Sequence, residues 1–341
     1  MNSGRQIGPR LAALMLAALA CGMGADANAA GGTELRIATV APTGSSFHKR
    51  LQTLGAEWSR GAGGVSMNIY AGTQGGELQI VRRMRVGQIQ GAMLTSVGLA
   101  QIDRSVTALQ YMPMMFRDWD DVDLVREKLR PDLERRLRDA GYVVMFWADA
   151  GWVRYFSKKP INRLQDLKSL RVYASSGDPE SVELMKAYYT PVVLEPDQIL
   201  LGLRNGMIDA LPVPAFLANF SQIPTYAPYM LDLRWAPITG ALVVTTKAWN
   251  KLDPATQAWL RETSDRAGYE MRRASRAEDE QAVQAMKDKM GLKIVPLTAE
   301  AEREWRTEVA HLYPRIRGTL VPAAMFDATV EALKAKHAAG T

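Results

Sequence analysis

The sequence predicts an α/β protein of two domains. Strand-like and helix-like runs alternate along the chain, the pattern of an open α/β sheet. The 341 residues are about twice the usual span of one domain. A hydrophobic fraction of 47% with 23% charged residues is that of a compact globular chain and excludes disorder or a coiled coil.

The first predicted strand is Glu34-Leu35-Arg36-Ile37-Ala38-Thr39-Val40, and Ala41–Ser46 after it reads as a turn. Ser45 or Ser46 then caps a helix whose Phe47, Leu51, Leu54 and Trp58 fall on one face. Val65–Tyr70 repeats the strand pattern, and Gly72–Gly76 leads into a helix from about Glu77 to Arg85. Further strands are expected at Gly91–Thr95, Tyr142–Trp147, Trp152–Phe156, Ser169–Tyr173, Pro191–Leu194 and Ala241–Thr245. Helices are expected at Asp120–Ala140, Pro179–Tyr188, Pro196–Asn205 and Ala215–Gln222. In such a sheet ligands sit beyond the carboxyl ends of the strands, where the loops Ala41–Ser46 and Ala174–Asp178 belong. The longest helix starts at Asp253-Pro254, a cap followed by proline at the first helical position, and meets no breaker except Gly268 before Gly291. About 37 residues at 1.5 Å each make roughly 55 Å, enough to run along both domains. A bend near Gly268 or Ser275 would instead split it in two.

Arg5 and Arg10 precede the apolar run Leu11–Gly24, and Ala27-Asn28-Ala29 follows. The run is shorter than the roughly 20 residues that span a bilayer. Basic start, apolar middle and small-residue end read as a secretory signal peptide cleaved near Ala29. A lipid anchor on Cys21 fits less well, because Ala18-Leu19-Ala20 is a poor lipobox. Removing residues 1–29 deletes the only cysteine and leaves 40 basic and 35 acidic residues, a net charge of +5. The charge is spread along the chain, which does not favour nucleic acid.

The hydrolase signatures Gly-x-Ser-x-Gly, His-Glu-x-x-His and Ser-x-x-Lys with its companions are missing. His48, His311 and His337 have no metal-ligand spacing. Asp120-Asp121 and Glu278-Asp279-Glu280 read as solvated helix faces rather than a glycosidase pair. Gly72–Gly76 lacks the lysine and spacing of a phosphate loop. No residue stands out as a catalyst, and no cofactor or metal is expected.

One constellation remains. Gly151-Trp152-Val153-Arg154-Tyr155-Phe156-Ser157-Lys158-Lys159-Pro160-Ile161 is followed by Asp166-Leu167-Lys168-Ser169-Leu170-Arg171-Val172, then by Leu200-Gly202-Leu203 through Asn205-Gly206-Met207-Ile208-Asp209-Ala210. With Ile37–Ser45, Gly72–Glu77, Gly87–Ala92 and Thr245–Leu252, this order and spacing resembles the substrate-binding proteins of TRAP (tripartite ATP-independent periplasmic) transporters, over almost the whole mature chain.

The resemblance implies a two-lobed periplasmic-binding-protein fold, type II-like, that closes on an organic anion and hands it to a permease driven by an ion gradient. Lobe I is expected over 30–150 and about 237–280, lobe II over 151–236 and about 281–335. The resemblance assigns Arg171 as the carboxylate clamp, a role suited to the paired donors of a guanidinium. Arg154 matches a second arginine that contacts the ligand or orients the first. Glu77 matches a residue lining the cleft in relatives, although a first-turn acid also complements its helix dipole. Where the family carries an asparagine this chain has Val213, so an amide contact is missing. With Trp152, Tyr173 and Phe216 among the cleft rings, alongside Trp147, Tyr155 and Trp235, the ligand is expected to be an aromatic or otherwise hydrophobic carboxylate. The expected partners are that acid and the TRAP membrane subunits, with the receptor a periplasmic monomer. An ABC-type receptor, a ligand-sensing subunit and a periplasmic hydrolase are the rival readings.

Overall fold

The structure, a computed structural model, describes residues 33–61 and 63–339. The expected signal peptide and Cys21 lie outside the described residues. In chain order the elements are β1 (Glu34–Thr39), α1 (Ser46–Arg60), β2 (Ser66–Ala71), α2 (Glu77–Arg85), β3 (Gly91–Thr95), α3 (Ser96–Ala100) and α4 (Trp119–Asp139). Next come β4 (Tyr142–Ser157), α5 (Leu164–Leu167), β5 (Arg171–Ser175), α6 (Pro179–Met185), β6 (Thr190–Leu194), α7 (Ile199–Arg204), β7 (Ala210–Pro214), α8 (Ala215–Phe220) and β8 (Tyr229–Leu231). The chain continues through β9 (Pro237–Thr245), α9 (Thr246–Trp249), α10 (Pro254–Met290), β10 (Lys293–Val295), α11 (Ala299–Ile316) and α12 (Ala323–Ala339).

α1 forms as its spacing predicts: Ser45 accepts from the His48 N–H at the N-cap, and Phe47, Leu51, Leu54 and Trp58 are buried. The strands run in the order β2-β1-β3-β9-β4-β7-β5-β6, with β8 beside β4 and β10 beside β8. β1 pairs in parallel with β2 and β3, and β5 with β6 and β7, while β9 and β4 run antiparallel to their neighbours in the middle.

The 16-residue β4 is the axis of the molecule. Tyr142–Trp152 pairs with β9, and Val153–Ser157 pairs with β7. The segments expected as two strands, Tyr142–Trp147 and Trp152–Phe156, are therefore one, shared by both halves of the sheet. Gly151 makes the join: its φ of +90° falls in the left-handed region within a register shift between Asp149 and Trp152. A Cβ there would also lie 2.4 Å from Asp279 Cγ.

α10 is one unbroken helix of 37 residues, with Asp253 capping its start. Leu260 and Met271 pack into the core around Leu51 and Trp58, and Ala282 and Met286 into the core around Phe156 and Leu211. Gly268, a candidate bend, instead marks close approach, since a Cβ would sit 2.5 Å from Phe146 Cβ. One other expectation shifts, since β5 begins at Arg171 rather than Ser169; β7, for which no element was expected, carries Pro212 and Pro214, residues that disfavour a central strand. β7 meets β5 only at Val172 and Ala210. Beyond that point its outer edge has no ladder to feed, so the missing N–H groups break nothing.

Candidate functional site

A cavity of about 210 Å³ opens beside β4 and the carboxyl end of β5. Gln110, Tyr111 and Pro113 contribute one wall, following the 3-10 turn at Arg104–Leu109. Val153 and Tyr155 of β4, Pro212 of β7 and Tyr173, Ala174 and Ser175 at the carboxyl end of β5 line it as well. Asp178, Ser181, Val182 and Met185 of the α6 region, with Tyr189 and Trp235, close the sides. Backbone bonds hold the walls together: Met114 N–H donates to Trp235 O at 2.7 Å, and Trp235 N–H to Val153 O at 2.9 Å. From α11, the Tyr313 hydroxyl donates to Pro113 O at 2.7 Å.

Tyr155 is wholly buried, and its hydroxyl has no hydrogen-bond partner. Its ring packs against Trp235 at 5.7 Å and Trp305 at 6.0 Å. Burial, reinforced by Tyr189, holds the Tyr155 hydroxyl proton far above the ordinary range. Burial likewise raises Tyr189, with Asp178 adding to the effect. Tyr173 is pushed up to about 12, mainly by burial, with Glu195 and Glu77 adding to it against a Ser175 hydrogen bond. Asp178 caps α6 by accepting from Ser181 N–H at 3.1 Å. Among the described residues no lysine, arginine or histidine lines the cavity.

Of the expected site residues, Tyr173 lines the cavity and the others lie elsewhere. Arg171 opens β5, four residues from Ser175, or roughly 13 Å along the strand. Its side chain is 50% exposed and binds Asp209 bidentately, Nε to Oδ2 and Nη2 to Oδ1, both at 2.8 Å. Arg171, expected as the clamp, thus stands at the start of β5, outside the lining of this cavity, with its guanidinium on Asp209. Arg154 alternates with Tyr155, so it points to the opposite face of β4. There it donates to Glu280 at 3.1 Å and Asp232 at 3.4 Å.

Glu77 is buried and fully engaged. Its Oε1 accepts from Thr95 N–H at 2.6 Å, and its Oε2 accepts from the Thr95 hydroxyl at 2.6 Å and Gly98 N–H at 2.8 Å. It thus caps α3, while burial still keeps its carboxyl above the usual value against those bonds. Trp152 is a core ring, 4.8 Å from Trp119. Val213 is packed in the core around Phe156 and Leu211. Phe216 touches Phe47 of α1 at 5.1 Å, bridging the halves outside the cavity.

The family model for bacterial extracellular solute-binding proteins, family 7 (DctP), matches residues 37–318. The chain belongs to this family. It is 24% identical over 255 residues to the uncharacterized protein YiiZ of Salmonella typhimurium strain LT2, covering 72% of this chain and 76% of that one. In three dimensions it is similar to DctP7 of Bordetella pertussis, an extracytoplasmic solute receptor binding pyroglutamic acid. The TM-score is 0.80 at 17% identity, over 89% of this chain and 100% of that one. It is similar as well to a TRAP periplasmic solute-binding protein of Shewanella oneidensis with bound succinate. There the TM-score is 0.81 at 13% identity, over 88% and 99% of the chains. The family 7 receptor described here shares their two-lobed α/β fold.

Sequence reading placed Tyr155 and Trp235 among the rings near the cleft but not in particular positions, and it missed Tyr189, Asp178 and the 110–113 wall of this receptor. The adjacent Tyr188 and Tyr189 were an available signal: two tyrosines between a short helix and a strand offer one ring to each side. Among the described residues no group of three or more His, Cys, Asp or Glu is disposed to hold a metal ion.

Proposed function

We propose that this family 7 chain is the periplasmic receptor of a TRAP system, taking a small organic solute into the cavity beside Tyr155 and handing it to membrane permease subunits coupled to an ion gradient. The observation that supports the reading is a cavity lined by residues of the 110–113 segment together with residues of β4, β5, β7 and the α6 region. A solute held by both walls favours the closed arrangement of the halves by its difference in affinity for closed and open states. Closure is then the form that a permease distinguishes from the empty receptor. The ligands of the solved relatives, pyroglutamic acid and succinate among them, set the size of solute to try.

The test is a thermal-shift screen of the purified mature chain against organic acids and their neutral analogues. Tryptophan fluorescence follows it, because Trp235 stands in the wall. A solute at a hundred times its dissociation constant adds about 2.7 kcal/mol and moves the melting point by several degrees. Saturable binding that is lost when Val153 is replaced by Trp to fill the cavity supports the assignment. Binding that survives this substitution places the solute elsewhere.

A further inference from the structure

A second cavity, of about 440 Å³, lies where the last turn of α4, the start of β4, α9 and the first turns of α10 meet. It shares no lining residue with the cavity beside β5. Its walls carry two arginines, Arg138 of α4 and Arg261 of α10, together with the amides of Asn250 and Gln257, and no acid. Among the described residues neither arginine forms an ion pair. Arg138 is exposed and Arg261 half-buried.

Arg261 is the more constrained of the two. Its guanidinium carbon stands 4.9 Å from the centre of the Trp249 ring, and its Nη1 donates to Val144 O. Stacking and hydrogen bond together fix the plane of the group, while the Nε and Nη2 edge has no partner in the protein. Such an edge offers two parallel donors to an oxyanion. Burial pushes the guanidinium down from its ordinary value, and Arg138 and Arg130 push the same way against Glu134 and Asp265. Glu134, however, is already engaged, accepting from Arg130 Nε at 2.7 Å and from Trp147 Nε1 at 3.1 Å. Asp265 is exposed and stands 3.9 Å from Arg130. A half-buried cation crowded by like charges and short of a counter-ion is favourably met by an anion from solution. The frame around it is tied down as well. Gln257 Nε2 donates to Trp249 O at 2.9 Å and to Leu252 O at 3.2 Å, which closes the turn between α9 and α10.

We propose that this cavity is a second binding site of the chain, taking a doubly charged oxyanion of the phosphate or sulfate class on the Nε and Nη2 edge of Arg261, with Arg138 as the second cation and the Asn250 amide as a further donor. The bound anion joins the last turn of α4 to the first turns of α10. Because the two cavities share no residue, the anion and an organic solute occupy the protein together.

The experiment is titration calorimetry of the purified mature chain with inorganic phosphate and with sulfate, at neutral pH and low ionic strength, and with acetate as the singly charged control. Calorimetry is the readout because both anions raise melting points by exclusion from any protein surface. At least one of them should bind with a dissociation constant of about 1 mM or below, and acetate about tenfold or more weaker. Arg138→Ala and Arg261→Gln should each weaken the anion about tenfold. Arg138 is exposed, so Arg138→Ala should keep the wild-type melting point, which separates lost binding from lost folding. Arg261→Lys restores the charge without the paired donors and should recover only part of the affinity. Val153→Trp, which fills the other cavity, should leave phosphate and sulfate binding within about twofold of wild type. Affinity weaker than about 1 mM for both anions marks an adventitious ion only and overturns the site. Binding that survives both arginine substitutions, or that disappears in Val153→Trp, overturns it too. Each of these failures leaves the reading of the cavity beside β5 as it stands.

Discussion

Asp279 is a buried acid whose removal should be felt in stability. It stands on α10 with 1% of its surface exposed. Its Oδ2 accepts from Trp152 N–H and its Oδ1 from Phe216 N–H, each at 3.1 Å. One carboxylate thus ties the long helix to the place where β4 passes between the sheet halves and to the start of α8. In Asp279→Ala both N–H groups lose their acceptor inside the protein, at about 1–3 kcal/mol each. Relief of the buried charge offsets part of that, so a net loss of about 3 kcal/mol is expected, or roughly 4–5 °C in melting temperature for a chain of this size. Differential scanning calorimetry and guanidinium unfolding followed by tryptophan fluorescence measure it, with exposed Arg273→Ala on the same helix as the control, expected within ~0.5 kcal/mol of wild type. The pH signature has a definite sign. Burial raises the Asp279 carboxyl above its ordinary value of 3.8, against the two backbone bonds and the nearby charge of Arg154. Between the unfolded and the raised folded pKa the native state holds the extra proton, so this group makes stability fall as pH rises through that window. Asp279→Asn should lack that contribution. If Asp279→Ala costs no more than about 1 kcal/mol, the carboxylate is not the tie between helix and sheet.

Arg171→Ala should leave the affinity for any solute found by the screen within about twofold, read by calorimetry, because the guanidinium lies outside the cavity and bonds to Asp209; a hundredfold loss would restore it as the clamp. Asp123 supplies the opposite pH behaviour to Asp279. Burial raises it, but the Arg276 hydrogen bond and the Arg126 charge more than offset this and lower its pKa below 3.8. Its contribution to stability is therefore present above the unfolded value and disappears as pH falls through the folded one. Melting curves taken from neutral pH down into that range should show a shallower acid slope for Asp123→Asn than for wild type. An unchanged slope would remove Asp123 from the acid response.

The fold was legible wherever local chemistry and periodicity agreed. The Asp253-Pro254 cap and the lack of a breaker were enough for α10, and the spacing of Phe47, Leu51, Leu54 and Trp58 for α1. Legibility ended where a tertiary contact decides. Glycine at 268 reads as a weak point in a helix, but its purpose is the approach of Phe146, which no local pattern reports. Gly151 reads as a break between strands because its positive φ is compatible with either a turn or a bulge, and only pairing on both sides shows that β4 runs on. Pro212 and Pro214 hid β7 because the open outer edge that tolerates them is a property of the sheet.

The site was less legible for a related reason. A two-residue error in the start of β5 carries Arg171 from the middle of a short strand to its first position, and a one-residue step along β4 changes the face from Arg154 to Tyr155. Chemistry then compounds the geometry. A clamp must have donors free in the empty receptor, or a partner it can release on closure. In Arg171 the fork is engaged by Asp209, whose Oδ2 also accepts from the Arg171 backbone N–H at 3.1 Å. The acid is held by backbone and side chain together, so turning the guanidinium toward a ligand would break two charge-assisted bonds and leave Asp209 short of its counter-ion. What remains facing the cavity is the tyrosine-rich side of the same strands. Alternation along β4 turns Arg154 away from Tyr155, whereas Arg171 shares a face with Tyr173 and lies outside the cavity lining because it stands at the start of β5.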